Sequence, residues 1–412
     1  MSKVLRRQWP ASPAAGLSRR DRFGCDYEAY VPDPLVDRRL QLDADVAADV
    51  ADAEAAISRL NAEASALVDT EALARLLLRS ESVASSHIEG LQIGGRRLLR
   101  AESARALGVP TDDITAEAVL GNIEAMAWAV GTLSGAPALT IEGLLEVHHR
   151  LLARTPLAKQ IAGRLRDRQN WIGGSAFTPC RASFVPPPPE HVEELLADLL
   201  EFCNRETLPA VAQAAVAHAQ FETIHPFADG NGRVGRALSH VVLRRRGLAP
   251  RVLPPLSMAL ARSSEAYVEG LTATRYWGRA DSRAAHDGMN QWIAQFAAAC
   301  RQAVDDAETF ETRVADIQRG WRQALGGVRA GSSADLLVRR LPGAPVVTVA
   351  AAADLIGRSF QAANQAIDRL VEAGVLRQVN VGRRNRAFEA KAVIDAFADL
   401  ELQLSSPATG RG

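Results

Sequence analysis

The stretch of sequence that decides the fold is His225-Pro226-Phe227-Ala228-Asp229-Gly230-Asn231-Gly232-Arg233-Val234-Gly235-Arg236. A helical pattern over 210–224 leads into it, and a second helical pattern over 233–245 follows. The glycine-rich turn between them therefore lies at the start of a helix, where backbone N–H groups have no intrahelical partner. The stretch also brings together a histidine, a carboxylate and two arginines, the groups needed to bind an anion and accept a proton.

The turn predicts a phosphate site. Gly230 and Gly232 allow backbone N–H groups to approach an anion directly, and the helix N-terminus adds a favourable potential there. Arg233 and Arg236 are three residues apart, so they project from one helical face toward the same phosphates. We expect a nucleotide triphosphate at this position.

Asp229 and His225 supply the remaining chemistry. Asp229 is placed to hold Mg²⁺, which normally takes one or two carboxylates together with phosphate oxygens and water. His225 ends the preceding helix, and an imidazole there can take a proton from an incoming hydroxyl. An isolated histidine at a helix end is more often satisfied by backbone, and Asn231 fits an ordinary turn residue equally well. Beside an anion turn and paired arginines, the functional interpretation of His225 is favoured.

The stretch matches every defined position of HxFx(D/E)GNGRxxR, and the sequence thereby resembles the Fic family (filamentation induced by cAMP). The resemblance extends to Trp171-Ile172-Gly173, to the segment 184–188 and to the helix that contains His148. It implies a mainly α fold, with a Fic-type helical core and a β-hairpin flap. The implied activity is transfer of AMP from ATP to a Ser, Thr or Tyr hydroxyl of a protein, with Mg²⁺ or Mn²⁺.

The resemblance also implies a role for each residue of the signature. His225 deprotonates the target hydroxyl, and Asp229 holds the metal ion that bridges the α- and β-phosphates. The backbone of residues 230–232 cradles the phosphates, Arg233 stabilises the leaving pyrophosphate, and Arg236 contacts the γ-phosphate. The turn carries no lysine, which argues against relatives that phosphorylate instead.

Residues 163–190 are predicted to interrupt the helices with a hairpin, called the flap below. Two short strand-like pieces flank a loop, and the prolines at 186–189 close it. One piece resembles the segment that pairs with a target's extended backbone by strand addition. It consists of Asn170, Trp171, Ile172 and Gly173. A hairpin that merely shields the nucleotide is an equal alternative.

Ser85-Ser86-His87-Ile88-Glu89-Gly90 matches a second Fic-family element, (S/T)xxxE(G/N), on a helix that precedes the core. In relatives this glutamate pairs with the second arginine of the signature, here Arg236, and removes it from the γ-phosphate. Ser85, Glu89 and Gly90 therefore imply a self-inhibited enzyme. The alternative is an exposed glutamate just before a helix-ending glycine, which is common.

The C-terminal part carries another pattern. A helix, a short turn, a second helix over 360–373 and two strands around a basic loop resemble a winged helix-turn-helix. If it binds DNA, the side chains facing the major groove are Gln361, Asn364, Gln365 and Arg369. Those touching phosphates or the minor groove are Arg383, Arg384 and Arg386. Winged helices also dock proteins, so DNA contact stays open.

The chain of 412 residues is long enough for two or three domains. We predict an N-terminal helical region with the inhibitory helix at 1–115, a Fic catalytic core at 116–325 and the winged helix at 334–400. A Gly- and Ser-rich linker is predicted between the last two. Residues 1 to about 40 show no periodicity and are predicted to be irregular.

Composition excludes some classes. With 48 basic and 48 acidic residues, the whole molecule is not an electrostatic binder of nucleic acid or membranes. Cys25, Cys180, Cys203 and Cys300 show no CxxC pairing, which favours idle thiols in a reducing compartment over disulfides or zinc. No segment reaches roughly 18 uninterrupted apolar residues, and no signal-peptide core is present. We therefore expect a cytoplasmic protein without membrane contact.

Two other functions stay open. One is a DNA-binding transcriptional regulator whose Fic core senses a nucleotide. The other is a bifunctional enzyme that also removes AMP, with Glu89 helping a water molecule to attack. The target protein, the enzyme itself included, is not identified, and a homodimer stays open. Tyr267 and Trp292 are candidates either for a nucleotide-base pocket or for the core.

Overall fold

A computed structural model of the protein is mainly α-helical, as predicted. It describes residues 1–405 except 13, 15, 65–69, 107–111 and 382–384. The α-helices are α1 (Ala44–Ala64), α2 (Thr70–Ile88), α3 (Gly95–Ala106), α4 (Ile114–Gly131), α5 (Ile141–Leu152), α6 (Ala158–Ile161), α7 (Val192–Asn204), α8 (Ala210–Ile224), α9 (Asn231–Arg245), α10 (Leu256–Arg262), α11 (Ser264–Ala273), α12 (Arg283–Ala324), α13 (Ser333–Arg340), α14 (Val349–Ile356), α15 (Phe360–Glu372) and α16 (Lys391–Ser405). The strands are β1 (Lys3–Trp9), β2 (Cys25–Val31), β3 (Val346–Thr348), β4 (Arg377–Val381) and β5 (Asn385–Glu389). Within the described residues, no helix is both long and apolar enough to span a membrane.

The chain divides into two compact units that are discontinuous in sequence. The first comprises residues 1–53, 128–246 and 265–298, and the second comprises 54–127, 247–264 and 299–412. The continuous division predicted above (1–115, 116–325 and 334–400) stays a prediction.

The centre of the first unit is the helix pair α8 and α9. Every residue of α8 is buried, because this alanine-rich helix lets its neighbours approach closely on all sides. Gly235 on α9 serves the same contact, since a Cβ there would lie 2.9 Å from Cδ1 of Phe221 on α8. The signature stretch is the connection between these two helices, so its ends are fixed by their close packing.

The N-terminal residues form a β-hairpin, so the prediction of an irregular segment over 1–40 is wrong. β1 and β2 pair antiparallel, with Lys3 opposite Val31 and Trp9 opposite Cys25. No residue of β1 is fully buried. The alternation of buried and exposed positions that identifies a strand is therefore absent from it.

The predicted flap is present as a short antiparallel contact. Ile172 N–H donates to Phe184 O (2.8 Å), and Ile172 O accepts from Ser183 N–H (2.8 Å). Val185 O accepts from Tyr30 N–H (2.9 Å), which bonds the flap to β2. The turn requires glycine, because Gly174 has φ +74° and a Cβ there would lie 2.5 Å from Arg181 O. The flap is thus held on one side by the N-terminal hairpin.

Cys25 and Cys180 form a disulfide, with their Cα atoms 5.8 Å apart. The prediction of idle thiols is wrong for this pair and confirmed for Cys203 and Cys300, which are free and buried. A separation of 155 residues gives no spacing signal, and only the fold brings β2 and the flap together. Disulfides are typical of oxidising compartments. The cysteines therefore no longer support a reducing compartment.

Removing this disulfide is expected to destabilise the first unit. A Cys25→Ser/Cys180→Ser double variant releases a long loop in the unfolded chain, and such losses typically cost about 2–5 kcal/mol. Thermal unfolding with and without a reductant measures the effect. Cys203→Ala is the control, since it should respond to reductant as the wild type does. A wild-type melting temperature that ignores the reductant would contradict the bond.

In the second unit, α2 packs against α10. The buried carboxylate of Glu81 accepts from Ser257 N–H (2.7 Å) and from Ser257 Oγ–H, and so fixes the start of α10. The end of α2 is a left-handed glycine, as predicted, because Gly90 has φ +79°. Gly90 N–H donates to His87 O (2.9 Å). This end of α2 is therefore a defined cap that carries Glu89.

The C-terminal part of the second unit combines α13, α14 and α15 with a three-stranded antiparallel sheet in the order β3-β5-β4. Ser359 begins α15, since its Oγ accepts from Ala362 N–H (3.3 Å). The buried face of α15 is apolar and comprises Ala363, Ala366, Ile367 and Leu370. The helix α13 lies in a stretch that the sequence pattern left without an element.

Candidate active site

His225 ends α8 in a conformation that costs energy. Its φ of +51° and ψ of 60° are left-handed, and among the described residues no other side-chain-bearing residue has a positive φ. Such a conformation costs roughly 1–2 kcal/mol and persists only where the surroundings enforce it. Two side chains do so, because His225 O accepts from Arg166 Nε (2.8 Å) and Asn170 Nδ2 (3.3 Å).

Arg166 is a site residue that the sequence analysis missed. Its backbone N–H donates to Pro226 O (3.0 Å), and its guanidinium also donates to Ile224 O (3.3 Å) and to Pro187 O in the flap. Burial lowers the pKa of Arg166 to about 10, so the group is still charged at neutral pH. One buried cation therefore ties the flap to the backbone on both sides of His225.

Asn170 and Asn231 hold the middle of the loop. Phe227 O accepts from Asn170 Nδ2 (3.0 Å) and from Asn231 Nδ2 (2.8 Å), while Phe227 N–H donates to Asn231 Oδ1 (2.8 Å). Asn231 thus fixes the shape of the loop, in line with its interpretation as a turn residue. Asn170 connects the flap to two carbonyls of the signature.

His148 on α5 supports the phosphate turn from below. Its Nδ1 accepts from Gly163 N–H (3.1 Å), so the proton is on Nε2, which donates to Asp229 O (3.0 Å). The ring stacks on Phe227 at 3.8 Å between centroids. Burial lowers the pKa of His148 to about 4. The ring is therefore neutral at neutral pH and acts through this fixed tautomer.

The start of α9 has the features of an anion site. Gly230, with φ +83°, precedes the first helical residue, and no side chain caps this helix. The N–H groups of the first turn have no intrahelical partner, so they can meet an anion. Arg233 and Arg236 are buried, at 5% and 1% exposure. The groups that are predicted to bind phosphate thus lie together in the first turns of α9.

Asp229 is the carboxylate of this turn and is 52% exposed. Its Oδ1 accepts from Gly230 N–H (2.7 Å) and lies 3.5 Å from Arg233 Nη2. Among the described residues, no group of three or more His, Cys, Asp or Glu side chains could hold a metal ion. A single exposed carboxylate nevertheless fits Mg²⁺, which can take its remaining ligands from phosphates and water.

The flap and the signature line a common cleft of about 570 Å³. Asn170, Trp171 and Ala228 are among its lining residues. The Trp171 ring packs edge-on against Trp9 of β1, at 5.2 Å between centroids. Ile172 and Gly173 are exposed. The structure therefore brings the predicted docking segment beside the signature loop.

The predicted inhibitory residues belong to the second unit. Ser85 is buried within α2, whereas Glu89 and Gly90 are exposed just after the helix. The end of α2 is held by Asn122, whose Nδ2 donates to Ser82 O (2.8 Å) and Ser86 Oγ (3.1 Å).

The predicted DNA-contacting residues also belong to the second unit. Gln361 and Gln365 are exposed on α15, and Asn364 Nδ2 donates to Asp368 Oδ2 (3.0 Å). Arg386 is exposed and donates to Asn364 Oδ1 (3.4 Å). Arg383 and Arg384 lie outside the described residues.

Arg369 is exposed on α15 and is hydrogen-bonded within the protein. Its Nη2 donates to Leu325 O (3.1 Å) and Gly327 O (2.9 Å), the carbonyls that follow α12. These bonds direct its guanidinium toward the C-terminal end of α12. Cationic side chains commonly bond the last carbonyls of a helix in this way.

Tyr267 and Trp292 are core aromatics rather than lining for a nucleotide base. Both are buried, and Trp292 Nε1 donates to Ala215 O (2.7 Å). The Tyr267 hydroxyl and His218 Nε2 are hydrogen-bonded at 2.7 Å. Burial, assisted by the Arg236 charge, lowers the pKa of His218 to about 3.

Gly230→Ala is expected to destabilise the protein and weaken nucleotide binding. The added Cβ would lie 2.8 Å from Leu151 Cδ2 at a positive φ, so both crowding and backbone strain oppose it. Gly247→Ala is the matched control, because Gly247 has φ +73° and nothing within 4 Å of such a Cβ. Chemical unfolding of both variants should show the larger loss for Gly230→Ala. Equal losses would mean that the contact with Leu151 is without effect.

His218 predicts a pH dependence of stability. Its pKa falls from 6.5 to about 3 on folding, so the unfolded chain binds a proton that the folded protein refuses. The free energy of unfolding should therefore decrease as the pH falls below about 6.5, by roughly 1.4 kcal/mol per pH unit for one such group. Urea unfolding of wild type and His218→Gln between pH 7 and 4.5 tests this. The variant should show the shallower slope, and identical slopes would refute the assignment.

Two stretches of the chain match known protein families. Residues 138–243 match the Fic/DOC family, and residues 47–131 match the Fic/DOC family N-terminal region. Protein adenylyltransferase fic-1 of Caenorhabditis elegans is 35% identical over 119 residues, which are 28% of this chain and 21% of that protein. Protein adenylyltransferase Fic of Nematostella vectensis is 34% identical over 140 residues, which are 33% and 30% of the two chains. This chain thus matches less than a third of the length of either relative.

A solved structure supports the fold over most of the chain. The crystal structure of a Fic family protein from Desulfovibrio desulfuricans G20 covers 85% of this chain and 97% of its own, with a TM-score of 0.51 and 21% identity. The chain therefore has a mainly helical fold similar to that of a Fic family protein, and it matches the Fic/DOC family and its N-terminal region over the residues given above. The signature described above lies within the matched domain.

Proposed function

We propose that this protein is an adenylyltransferase that moves AMP from ATP to a hydroxyl side chain of a target protein. One observation carries the proposal: the same side chains that hold His225 in its strained conformation also fix the turn before the uncapped start of α9. Asn170 shows this directly, since its amide bonds both His225 O and Phe227 O. A base and an anion site fixed to one another meet the demand of in-line transfer. The relatives named above are protein adenylyltransferases.

The reaction follows from the positions of these groups. His225 takes the proton of a Ser, Thr or Tyr hydroxyl, and the oxygen attacks the α-phosphorus of ATP. The bond to the oxygen that bridges the α- and β-phosphates breaks, pyrophosphate leaves, and AMP stays on the target as a phosphoester. The α9 N-terminus and the two buried arginines neutralise the triphosphate. Such catalysis depends on positioning and on charge stabilisation.

Asp229 would hold Mg²⁺ or Mn²⁺ in this reaction. When bound, such an ion supplies further neutralisation of phosphate charge. The carboxylate is already oriented, because Gly230 N–H and the Arg233 guanidinium both approach its Oδ1.

The flap is proposed to dock the target. Ile172 and Gly173 are exposed beside the cleft that reaches Ala228. An extended target segment added along this edge would bring its hydroxyl toward the signature loop.

Glu89 is proposed to restrain the enzyme by pairing with Arg236. The motif residues Ser85, Glu89 and Gly90 stand at a rigid helix end, since buried Asn122 ties the last turn of α2 in place. A carboxylate presented in this way would compete with the γ-phosphate for the guanidinium.

Replacing Glu89 by Gly is expected to raise AMP transfer at least roughly tenfold, because about 1.4 kcal/mol or more of bias toward the restrained state is released. Mass spectrometry of the protein and candidate targets after incubation with ATP and Mg²⁺ measures the adduct. The Glu89→Gly/His225→Ala double variant is the control and should add no AMP. Equal rates for wild type and Glu89→Gly would refute the restraint. Incubating an AMP-modified target with wild type and Mg²⁺ or Mn²⁺ tests the bifunctional alternative.

The C-terminal part is proposed to be a winged helix-turn-helix that contacts DNA. The elements α14, α15, β4 and β5 follow one another in the order that the sequence pattern implied, and α13 and β3 precede them in the chain. Gln361 and Gln365 project from the exposed face of α15. Arg369 is exposed on the same helix, with its guanidinium bonded to Leu325 O and Gly327 O.

A Gln361→Ala/Gln365→Ala variant should lose about 30-fold or more in affinity for a preferred duplex, since each of the two base contacts contributes roughly 1–3 kcal/mol. Fluorescence anisotropy at several salt concentrations measures affinity and its salt slope, which should stay unchanged because phosphate contacts remain. Gln323→Ala, an exposed glutamine on α12, is the control. Absence of any salt-sensitive binding by wild type would instead favour a protein-docking module.

A further inference from the structure

A buried carboxylate next to the proposed base has no role in the reaction as described so far. Glu222 lies one helical turn before His225, and its Oε2 is 3.7 Å from His225 Nδ1. Its side chain is 9% exposed. It is also the one acidic residue of α8. Burying a carboxylate costs several kcal/mol unless charged or polar groups compensate it. The groups that compensate the buried charge of Glu222 therefore need to be identified.

One neighbouring element leaves space for this carboxylate, and another supplies a positive charge near it. A Cβ at Gly235 of α9 would lie 2.7 Å from Glu222 Oε1, so the glycine leaves the space in which the carboxylate stands. Arg275, which follows α11, interacts electrostatically with Glu222. Its guanidinium also lies over the ring of Phe184 in the flap, 3.5 Å from the centroid. The carboxylate thus stands between the imidazole and a partly buried cation that supports the flap.

We infer that Glu222 is a positioning residue that sets the tautomer of His225, because its carboxylate, 3.7 Å from Nδ1, favours a proton on that nitrogen. With that proton directed at the carboxylate, Nε2 keeps its lone pair and is the nitrogen that receives the hydroxyl proton. The inference rests on the proposed AMP transfer and adds to it a residue outside the HxFx(D/E)GNGRxxR positions.

The proton balance is simple. The hydroxyl proton moves to Nε2 as the oxygen bonds the α-phosphorus, and the imidazole becomes a cation with both nitrogens protonated. The negative carboxylate stabilises this cation without taking its proton, as in other carboxylate–histidine pairs. After pyrophosphate leaves, Nε2 returns its proton to solvent. The positive charge of Arg275 attracts this carboxylate.

Kinetics give the first test. In the Glu89→Gly background, Glu222→Gln should lower kcat by about 100-fold, the lower end of what general-base catalysis contributes. The KM for ATP should change less than about threefold, because the residues proposed to bind the phosphates lie on α9 and are unchanged. Glu222→Asp, which keeps the charge, should recover part of kcat. Glu201→Gln, on the exposed face of α7, is the control and should match the parent.

The tautomer gives the second test and does not depend on activity. Two-dimensional ¹⁵N spectra of histidine-labelled wild type, with His225 assigned through His225→Ala, should show the proton on Nδ1. Glu222→Gln offers an amide that donates to Nδ1 and should shift His225 toward the Nε2-protonated form.

A wild-type His225 protonated on Nε2, or a Glu222→Gln variant with unchanged kcat, would overturn the inference. If no variant transfers AMP, the proposed function fails, while the spectra still decide whether Glu222 sets the tautomer. If Glu222→Gln does not fold, Glu222→Asp and the wild-type spectrum carry the test.

Discussion

The first unit depends on the satisfaction of backbone carbonyls in the loop between α8 and α9. Arg166, Asn170, Asn231 and His148 each donate to carbonyls of residues 224–229. Buried carbonyls without donors would each cost roughly 1–3 kcal/mol, so these bonds are the condition under which the loop can be buried at all. Because the donors come from the flap, from α5 and from α9, the loop shape is set by three parts of the unit at once. A non-glycine residue with a left-handed backbone is stable only under such constraint.

The same principle explains the unusual number of buried polar side chains around this loop. Arg166 and Arg236 are charged and buried, and His148 is kept neutral by its surroundings. Such groups contribute little to stability compared with apolar residues of equal size. Their benefit is that each has one favourable arrangement, which gives the loop a single conformation. Rigidity of this kind is what positioning catalysis needs.

The sequence predicted the parts of the site that are local. The end of α8, the glycine turn that leads into α9 and the helix-ending Gly90 all depend on residues within one helical turn of each other. The missed parts are long-range. Arg166 bonds carbonyls some sixty positions away, and Cys25 meets Cys180 across 155 residues. Neither periodicity nor residue spacing in the sequence indicates which distant residues will be in contact. β1 was missed for another reason, since it lies on the surface and lacks a buried face.

In the second unit, the partners of a long side chain depend on the fold, as Arg369 shows. The position of Arg369 on α15 predicts a side chain that faces DNA. In the structure, its guanidinium donates to the carbonyls of Leu325 and Gly327, which follow α12. A long flexible side chain can be drawn to the nearest helix end, and sequence spacing does not reveal where that end lies.

The hydrogen bond from Tyr30 to Val185 has a consequence for the shape of any protein acted upon. It occupies the outer margin of the flap, and the disulfide at Cys25 anchors that margin covalently. If the flap docks the target as proposed, an added segment would pair along the inner margin, where Ile172 lies. Helices and closed sheets, whose backbone groups are already paired, would then bind poorly. The proposed acceptor hydroxyl would belong to a loop or chain end that can straighten over a few residues.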